Sequence, residues 1–303
     1  MSVTGYVFSE EFIRHCTLPS DEIESPFRLK AIQKRLLSSS INNYLNHIKI
    51  KNLPDDEIEL VHPEHHILNV EKLANSFEIC KMAVAGAIFA ADAICEGKVK
   101  NAFCALRPPG HHAFDKGVFG FCYFNNIAIT ARHIQKKHGY KKILIVDWDY
   151  HHGNGTEDAF YSDPTVLYFS THKLEAFPMT GLKERTGEGF GKGYNINVPL
   201  PSGTDDNNII DAFNKILMPA SDIFKPDFVL ISAGFDSREN DFLGDFNITD
   251  RGFYRLTKIV LQIAEKYSSS RVLSLLEGGY NPKGLAMAVE AHLFALAGLN
   301  YPY

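Results

Sequence analysis

The segment from Asp147 to Gly153 carries side chains that could bind a metal ion. It reads Asp-Trp-Asp-Tyr-His-His-Gly and follows an apolar run that is typical of a buried strand. Alternate residues of an extended chain share a face, so Asp147, Asp149 and His151 could converge if the strand continued. Gly153 and Gly155 instead favour a loop. Two carboxylates and an imidazole where a strand ends indicate a metal centre of an α/β enzyme.

Three other apolar runs end in the same way, with glycine beside an ionisable or phenolic side chain. They lead into Arg107-Pro-Pro-Gly-His-His112, Ala233-Gly-Phe-Asp236 and Glu277-Gly-Gly-Tyr280. Short apolar runs separated by longer helical patterns predict a parallel sheet that is buried on both faces. The carboxyl ends of its strands lie along one edge, so these polar residues are predicted to meet in one crevice.

The ligand types favour a catalytic metal site over a structural one. One imidazole and two carboxylates leave a coordination position for water, and we expect Asp149, His151 and Asp236 to be the ligands. Asp147 lies one strand step behind them. A carboxylate in that place is predicted to accept a hydrogen bond from a histidine and so to orient its ring.

The adjacent histidines His111 and His112 are predicted to be an acid/base pair. A neutral imidazole takes a proton from water activated by the metal, and a neighbouring imidazolium returns one to a leaving amine. Tyr280, which follows two glycines, is placed to donate to a developing oxyanion. The alternative for the histidines is that they cap a helix or bind buried carbonyls, and the alternative for Tyr280 is simple packing.

Length and composition agree with one compact enzyme domain. The chain has 303 residues, of which 45% are hydrophobic and 22% are charged. The predicted site residues are spread along much of the chain, so a domain boundary between them would divide the site. We therefore expect a single catalytic domain over residues 1–303.

Charge and cysteine usage argue against several other classes of protein. A formal net charge of -5 gives no basic surface for nucleic acid. The five cysteines show no Cys-x-x-Cys spacing, which favours a reducing compartment, and no secretory signal pattern is present. The apolar run 82–94 is short and contains Asp92, so it predicts a buried helix and no membrane span. We expect a cytoplasmic protein.

Periodicity predicts further elements between these runs. Helical spacing is present over residues 121–138, 252–267 and 283–296, and Gly139 is a plausible stop for the first of them. Residues 154–208 are expected to be mostly irregular apart from a strand over 166–170.

Taken together, the motifs resemble those of the zinc-dependent histone deacetylases, in a class II-like form close to the bacterial histone deacetylase-like amidohydrolases. The motifs occur in family order: Arg107-Pro-Pro-Gly-His-His112, Gly120-Phe-Cys-Tyr-Phe-Asn-Asn126, Asp147-Trp-Asp-Tyr-His-His-Gly-Asn-Gly-Thr156, Ala233-Gly-Phe-Asp236 and Leu276-Glu-Gly-Gly-Tyr-Asn281. The resemblance implies an arginase/deacetylase-like three-layer α/β fold with an eight-stranded parallel sheet flanked by helices. It also implies hydrolysis of the acetylated lysine side chain of a protein or peptide, with release of acetate.

The same resemblance implies a role for each predicted site residue. Zn²⁺ would be held by Asp149, His151 and Asp236, although such a carboxylate-rich site would also accept Fe²⁺. His112 would be the general base and acid, and His111 would be held by Asp147. Tyr280 would hydrogen-bond the acetyl oxygen.

The resemblance also implies a second ion and a substrate tunnel. A structural K⁺ would lie behind the zinc, bound by the side chains of Asp147 and Ser170 and by backbone carbonyls. The tunnel would be lined by Gly120, Phe121 and Phe177. Arg28 resembles an arginine near the acetate-release channel of relatives, and its alternative is an ordinary solvated helix residue.

Four departures from relatives bear on the substrate. Asn154 stands where class I enzymes carry Asp, so His112 would be less basic. Leu243 stands where polyamine deacetylases carry a gatekeeping glutamate, and Tyr280 stands where the weakly active class IIa enzymes carry His. Residues 61–74 show no alignable acidic residue for the tunnel rim.

Three other functions share part of this pattern. A deacetylase of small acetylated amines such as acetylpolyamines shares the chemistry, but Leu243 gives a second amine no counter-ion. An arginase-type ureohydrolase needs more carboxylates for paired metal ions. A catalytically inactive acyl-lysine reader is expected to have lost a ligand or Tyr280, and all are present. The sequence predicts no oligomeric state.

Overall fold

The sheet that carries the site consists of eight parallel strands. A computed structural model describes residues 4–16, 23–51, 55–73, 76–115 and 117–302. The strands are β1 (Thr4–Val7), β2 (Leu45–His47), β3 (Asn101–Cys104), β4 (Ile143–Asp147), β5 (Val166–Lys173), β6 (Asn195–Leu200), β7 (Phe228–Ala233) and β8 (Val272–Leu276). Their order is β2-β1-β3-β8-β7-β4-β5-β6, and all neighbours are parallel. The predicted eight-stranded parallel sheet is confirmed.

Helices flank the sheet. They are α1 (Phe27–Leu37), α2 (Glu64–Leu73), α3 (Phe77–Cys95), α4 (Asn126–His138), α5 (Asn154–Phe160), α6 (Asp206–Ala212), α7 (Met218–Phe224), α8 (Asp250–Tyr267) and α9 (Pro282–Leu296). A π-helical turn, Phe213–Leu217, joins α6 to α7, and short 3-10 segments include Glu10–Arg14, Ser40–Tyr44 and Asp55–Leu60. Helix α9 packs on both α1 and α8, while α3 packs on α4. Strands β4, β7 and β8 are buried along their whole length, as expected for strands covered on both faces.

The predicted helix over 121–138 is wrong at its start. Helix α4 begins at Asn126, where the side chain of Asn125 accepts a hydrogen bond from the backbone N–H of Ala128 at 3.0 Å. Before it, Gly120 and Phe121 both have left-handed backbone conformations, with φ of 53° and 66°. Left-handed residues cannot continue a right-handed helix, so the apolar periodicity of this stretch belongs to a loop.

The expectation of an irregular segment over 154–208 is also wrong in part. The structure forms α5, β6 and the start of α6 there, and β5 extends to Lys173. Strand β6 reads Asn-Ile-Asn-Val-Pro-Leu, and its Pro199 is a residue that argues against a strand assignment. The proline is tolerated because β6 is the edge strand of the sheet.

Two further findings concern the described part of the chain. None of its helices combines the length and apolar character needed to cross a bilayer, and α3 is instead a helix of the core. No disulfide links the five cysteines, all of which lie within the described residues.

Candidate active site

The site lies where the three central strands of the sheet end. Strands β8, β7 and β4 are neighbours, and Asp147, Ala233 and Leu276 are their last residues. The loops that follow carry the polar motifs, so a single edge of the sheet brings them together. Beyond Asp147 the chain leaves the strand, so Asp149 and His151 reach the site from a loop and not by strand alternation.

Asp149, His151 and Asp236 form a compact group that could hold a metal ion. Their donor atoms all lie within 4.8 Å of one another. The Nδ1 atom of His151 is 3.2 Å from Oδ1 of Asp149 and 2.9 Å from Oδ2 of Asp236. Both carboxylates are buried. Burial and the neighbouring Asp149 carboxylate raise the pKa of Asp236. A bound cation would relieve the repulsion between these two carboxylates.

The backbone around this group leaves room for the carboxylates and hydrogen-bonds them. Gly278 donates its N–H to Oδ2 of Asp149 at 2.8 Å. A Cβ atom at Gly234 would lie 2.0 Å from the same oxygen, and one at Gly278 would lie 2.3 Å from Oδ2 of Asp236. The glycines of the two strand-end motifs are therefore required by the close approach of backbone and ligands. The donor set and its cradle fit a catalytic divalent cation.

The two adjacent histidines have different partners. The Nδ1 atom of His111 lies 3.1 Å from Oδ2 of Asp147, and Nδ1 of His112 lies 2.8 Å from Oδ1 of Asn154. Burial alone would lower the pKa of His111, but the Asp149 and Asp147 carboxylates raise it to about 10. Burial and the nearby His111 and His151 lower the pKa of His112. His112 is therefore a neutral imidazole, while His111 favours its charged form.

A cavity of about 430 Å³ opens onto these groups. It is lined by His112, Val118, Phe119, Gly120, Phe121, Tyr123, His151, Phe177, Leu243 and Tyr280. The rings of Phe119 and Phe177 lie 4.8 Å apart between centroids, and those of Phe121 and Tyr280 lie 5.9 Å apart. The predicted lining residues Gly120, Phe121, Phe177 and Leu243 are all present in this cavity wall. A Cβ atom at Gly120 would lie 2.3 Å from Cδ2 of His112, so only glycine fits there.

Tyr280 enters the cavity wall from a turn that two other residues hold. Its backbone N–H donates to Oδ2 of Asp241 at 2.7 Å. The guanidinium of Arg28 lies 5.1 Å from the centre of its ring, and Nε of Arg28 donates to the carbonyl of Gly279 at 2.6 Å. Arg28 is fully buried, so the alternative of a solvated helix residue is wrong.

A comparison with known protein families identifies the family of this chain. The sequence model of the histone deacetylase domain matches residues 22–296. The chain belongs to the histone deacetylase family. The predicted resemblance is thus confirmed, with most of the chain included in the match.

The alignments with individual relatives cover different shares of this chain. A "Probable deacetylase" of Archaeoglobus fulgidus is 36% identical over 93% of this chain and 82% of its own length. The "Histone deacetylase 10, chloroplastic" of Oryza sativa subsp. japonica is 36% identical over 80% of this chain, and "Histone deacetylase 9" of Homo sapiens is 34% identical over 98% of it. The chain spans 61% of the rice relative and 34% of the human one. The crystal structure of an HDA15 HD domain superposes with a TM-score of 0.92 at 34% identity, covering 98% of this chain and 89% of that one.

The sequence patterns assigned no individual role to three residues of this site, which are Glu277, Phe119 and Asp241. Oε2 of Glu277 accepts the backbone N–H groups of Gly110 at 2.7 Å and His111 at 3.1 Å, which fixes the histidine loop to the end of β8. Burial raises the pKa of Glu277 to about 7. Its position directly after a buried strand was the available signal. Phe119 and Asp241 gave none, since both lie in loops without a strand or helix pattern.

The residues expected to bind potassium lie side by side. Ser170 of β5 is the register partner of Asp147 in β4. Oδ2 of Asp147 also accepts the phenol of Tyr168 at 3.0 Å, and Oγ of Ser170 lies 2.9 Å from Nδ1 of His172. Ala74 ends the segment 61–74, in which the sequence shows no alignable acidic rim residue, and it lies outside the described residues.

Proposed function

We propose that this chain hydrolyses the acetyl-lysine side chains of proteins or peptides and releases acetate. The observation that carries the proposal is that Tyr280, His112 and the proposed ligand His151 line one cavity. The donor atoms of Asp149 and Asp236 lie within 4.8 Å of the donor atom of His151. The printed names of relatives, which include "Histone deacetylase" and "Probable deacetylase", support the same reaction.

We propose Zn²⁺ as the metal held by Asp149, His151 and Asp236, with Fe²⁺ as the alternative in the cell. The cation would act as a Lewis acid that polarises the acetyl carbonyl and lowers the pKa of water. The family relation and the one-imidazole, two-carboxylate donor set support zinc. A structural K⁺ near Asp147 and Ser170 is part of the proposal, supported by the adjacency of the two residues in the sheet.

His112 is the proposed general base and acid. An amide oxygen only accepts hydrogen bonds, so the contact with Asn154 places the proton of neutral His112 on Nδ1 and leaves the lone pair on Nε2. With its pKa lowered by burial, this imidazole is unprotonated at neutral pH. Nε2 takes a proton from the attacking water and later delivers it to the departing lysine amine.

His111 and Tyr280 are proposed to stabilise charge as it develops. His111 is held against the carboxylate of Asp147, which fixes its ring and its charge beside His112. Burial raises the pKa of Tyr280 well above its usual value, so the phenol keeps its proton and acts as a hydrogen-bond donor to the acetyl oxygen.

The proposed substrate has an apolar side chain and no second positive charge near the site. Phe121, Phe177 and Leu243 line the cavity and match the methylene chain of acetyl-lysine. Leu243 offers no carboxylate to the second amine of an acetylpolyamine. Desolvating that amine without a partner is unfavourable, which favours lysine over polyamine substrates.

A substrate panel tests the proposed function. The purified chain is incubated with fluorogenic acetyl-, propionyl- and trifluoroacetyl-lysine peptides and with acetylpolyamines. We expect turnover of acetyl-lysine peptides with a higher kcat/KM than for any acetylpolyamine. In Tyr280→Phe we expect kcat to fall by about 100-fold or more with little change in KM, since one oxyanion donor is lost. Full activity of Tyr280→Phe, or activity on acetylpolyamines alone, would contradict the proposal.

A further inference from the structure

A second cluster of metal-ligand side chains lies at the other end of helix α4. Asp92, in the last turn of α3, meets His133 and His138, which lie on α4. Helix α4 starts beside the active site, where the side chain of Asn126 donates to the carbonyl of Pro108. A helix of 13 residues is roughly 20 Å long, so His138 lies well away from the catalytic group.

The donor atoms of this cluster converge in the same way as those of Asp149, His151 and Asp236. Nε2 of His133 and Nε2 of His138 lie 2.9 Å and 2.7 Å from the same atom, Oδ1 of Asp92, and all three donor atoms lie within 4.8 Å of one another. Tetrahedral ligands at zinc distances are about 3.3 Å apart. The contacts need to open by only a few tenths of an ångström to admit an ion.

The surroundings of the three side chains resemble the outer shell of a metal site. Nδ1 of His133 lies 2.9 Å from Oε2 of Glu57, and a histidine that binds a metal usually donates its other N–H to a carboxylate. Nζ of Lys137 donates to Oδ2 of Asp92 at 2.7 Å, which leaves Oδ1 for a single metal bond. With a divalent ion, the carboxylates of Asp92 and Glu57 and the ammonium of Lys137, the cluster carries a net charge of about +1.

An ion can reach this cluster from solvent. Asp92 lines a cleft of about 340 Å³ that also includes His47, Phe89 and Glu96. His133 is buried, whereas the side chain of His138 is 15% exposed. The competing arrangement is a metal-free ion-pair cluster in which a proton on each ring nitrogen makes the same contacts.

We propose that Asp92, His133 and His138 bind one divalent transition-metal ion of the zinc class. Two imidazoles and one carboxylate suit Zn²⁺, Co²⁺ or Ni²⁺ better than Mg²⁺ or Ca²⁺, which prefer oxygen ligands. The ion ties the end of α3 to the end of α4 and, through Glu57, to the 3-10 segment Asp55–Leu60. This proposal does not rest on the deacetylase reaction.

Zinc counting in a variant series tests the second site. The full chain is stripped with a chelator, dialysed against micromolar Zn²⁺ with millimolar Mg²⁺, and analysed by inductively coupled plasma mass spectrometry. We expect His138→Asn to hold one zinc fewer per chain than the parent. The matched control is His65→Asn, which removes a histidine that is 62% exposed and paired with Asp115, and it is expected to keep the parent's zinc count.

A second background separates the two metal sites. In Asp236→Asn, which removes a predicted catalytic ligand, we still expect one zinc that disappears when His138→Asn is added. Circular dichroism of each variant checks that the fold is retained. An equal zinc count in the parent and His138→Asn would overturn the proposal, and so would an equal loss in His65→Asn. Both results are independent of whether the chain deacetylates lysine.

Discussion

At the scale of single residues, Asn154 is the uncharged hydrogen-bond partner of His112, the proposed base. It accepts the hydrogen bond from Nδ1 of His112 at 2.8 Å without contributing charge. Burial and two neighbouring histidines already lower the pKa of His112. The acid limb of kcat/KM reports the protonation of this base in the free enzyme, so we expect that limb at low pH.

The substitution Asn154→Asp is expected to move the acid limb upward by about one pH unit. A carboxylate at hydrogen-bond distance stabilises the imidazolium, which raises the pKa of His112 and protonates the base at a higher pH than before. The pH profile of kcat/KM on an acetyl-lysine peptide measures this shift. Asn207→Asp, at an exposed position on α6, is the control. A downward shift, or an equal shift in the control, would contradict the assignment of His112.

At the scale of elements, the loops that follow the strands position the reactive groups. The carboxylate of Asp241 holds the turn that carries Tyr280. Oδ2 of Asp241 accepts the backbone N–H groups of Tyr280 at 2.7 Å and Asn281 at 3.0 Å, and its Oδ1 accepts that of Leu243 at 3.0 Å. The turn that carries the phenol and the loop that carries Leu243 are therefore held by the same side chain.

We expect Asp241→Ala to act on catalysis through the position of Tyr280. Three backbone donors lose their acceptor, and a misplaced oxyanion donor is expected to lower kcat by at least 10-fold with a smaller effect on KM. Asp241→Asn keeps one oxygen acceptor and should recover part of kcat. Steady-state kinetics of both variants provide the measurement. An equal kcat in the alanine variant and the parent would show that the turn keeps its conformation without the Asp241 carboxylate.

The elements also show how far sequence patterns could predict this protein. The strand ends were predictable because mostly apolar runs lead into the motifs of Asp147, Asp236 and Tyr280, and parallel strands end along one edge. The start of α4 and strand β6 were not, because a left-handed Phe121 and an edge-strand proline are decided by tertiary surroundings. Asp241 and Phe119 depend on contacts distant in sequence, which no local pattern encodes.

At the scale of the whole molecule, a buried ion-pair network joins the amino-terminal part of the chain to the site. Oε1 of Glu24 accepts Nη1 of Arg28 at 2.9 Å and Nε of Arg107 at 2.8 Å. All three side chains are at most 1% exposed. Arg107 precedes the histidine motif, and Arg28 binds the carbonyls of Glu277 and Gly279.

Neutralising Glu24 is therefore expected to destabilise the fold. Glu24→Gln leaves two buried guanidinium groups without their shared carboxylate, which lowers the free energy of unfolding by about 3–5 kcal/mol. Asp211→Asn is the control, because the Asp211–Lys215 pair is 61% and 71% exposed and contributes about 1 kcal/mol or less. Urea unfolding followed by circular dichroism compares the two. Similar decreases in the free energy of unfolding in the two variants would contradict a stabilising role for the buried network.

Some whole-molecule expectations stay predictions. One sheet contains strands from Thr4 to Leu276, yet the single-domain assignment over 1–303 and the cytoplasmic location rest on the sequence patterns alone. The acetate-channel role of Arg28 is likewise a prediction, although its guanidinium lies 5.1 Å from the centre of the Tyr280 ring.

The most direct test of the proposed hydrolytic centre is acetate release with and without metal. The chain is stripped with a chelator and assayed on an acetyl-lysine peptide before and after addition of Zn²⁺, beside Asp236→Asn treated in the same way. We expect the stripped parent to be inactive and to recover with zinc, while Asp236→Asn stays at least 100-fold less active, since it lacks one of the three ligands. Undiminished acetate release by the metal-free parent, or full recovery of Asp236→Asn, would contradict the account.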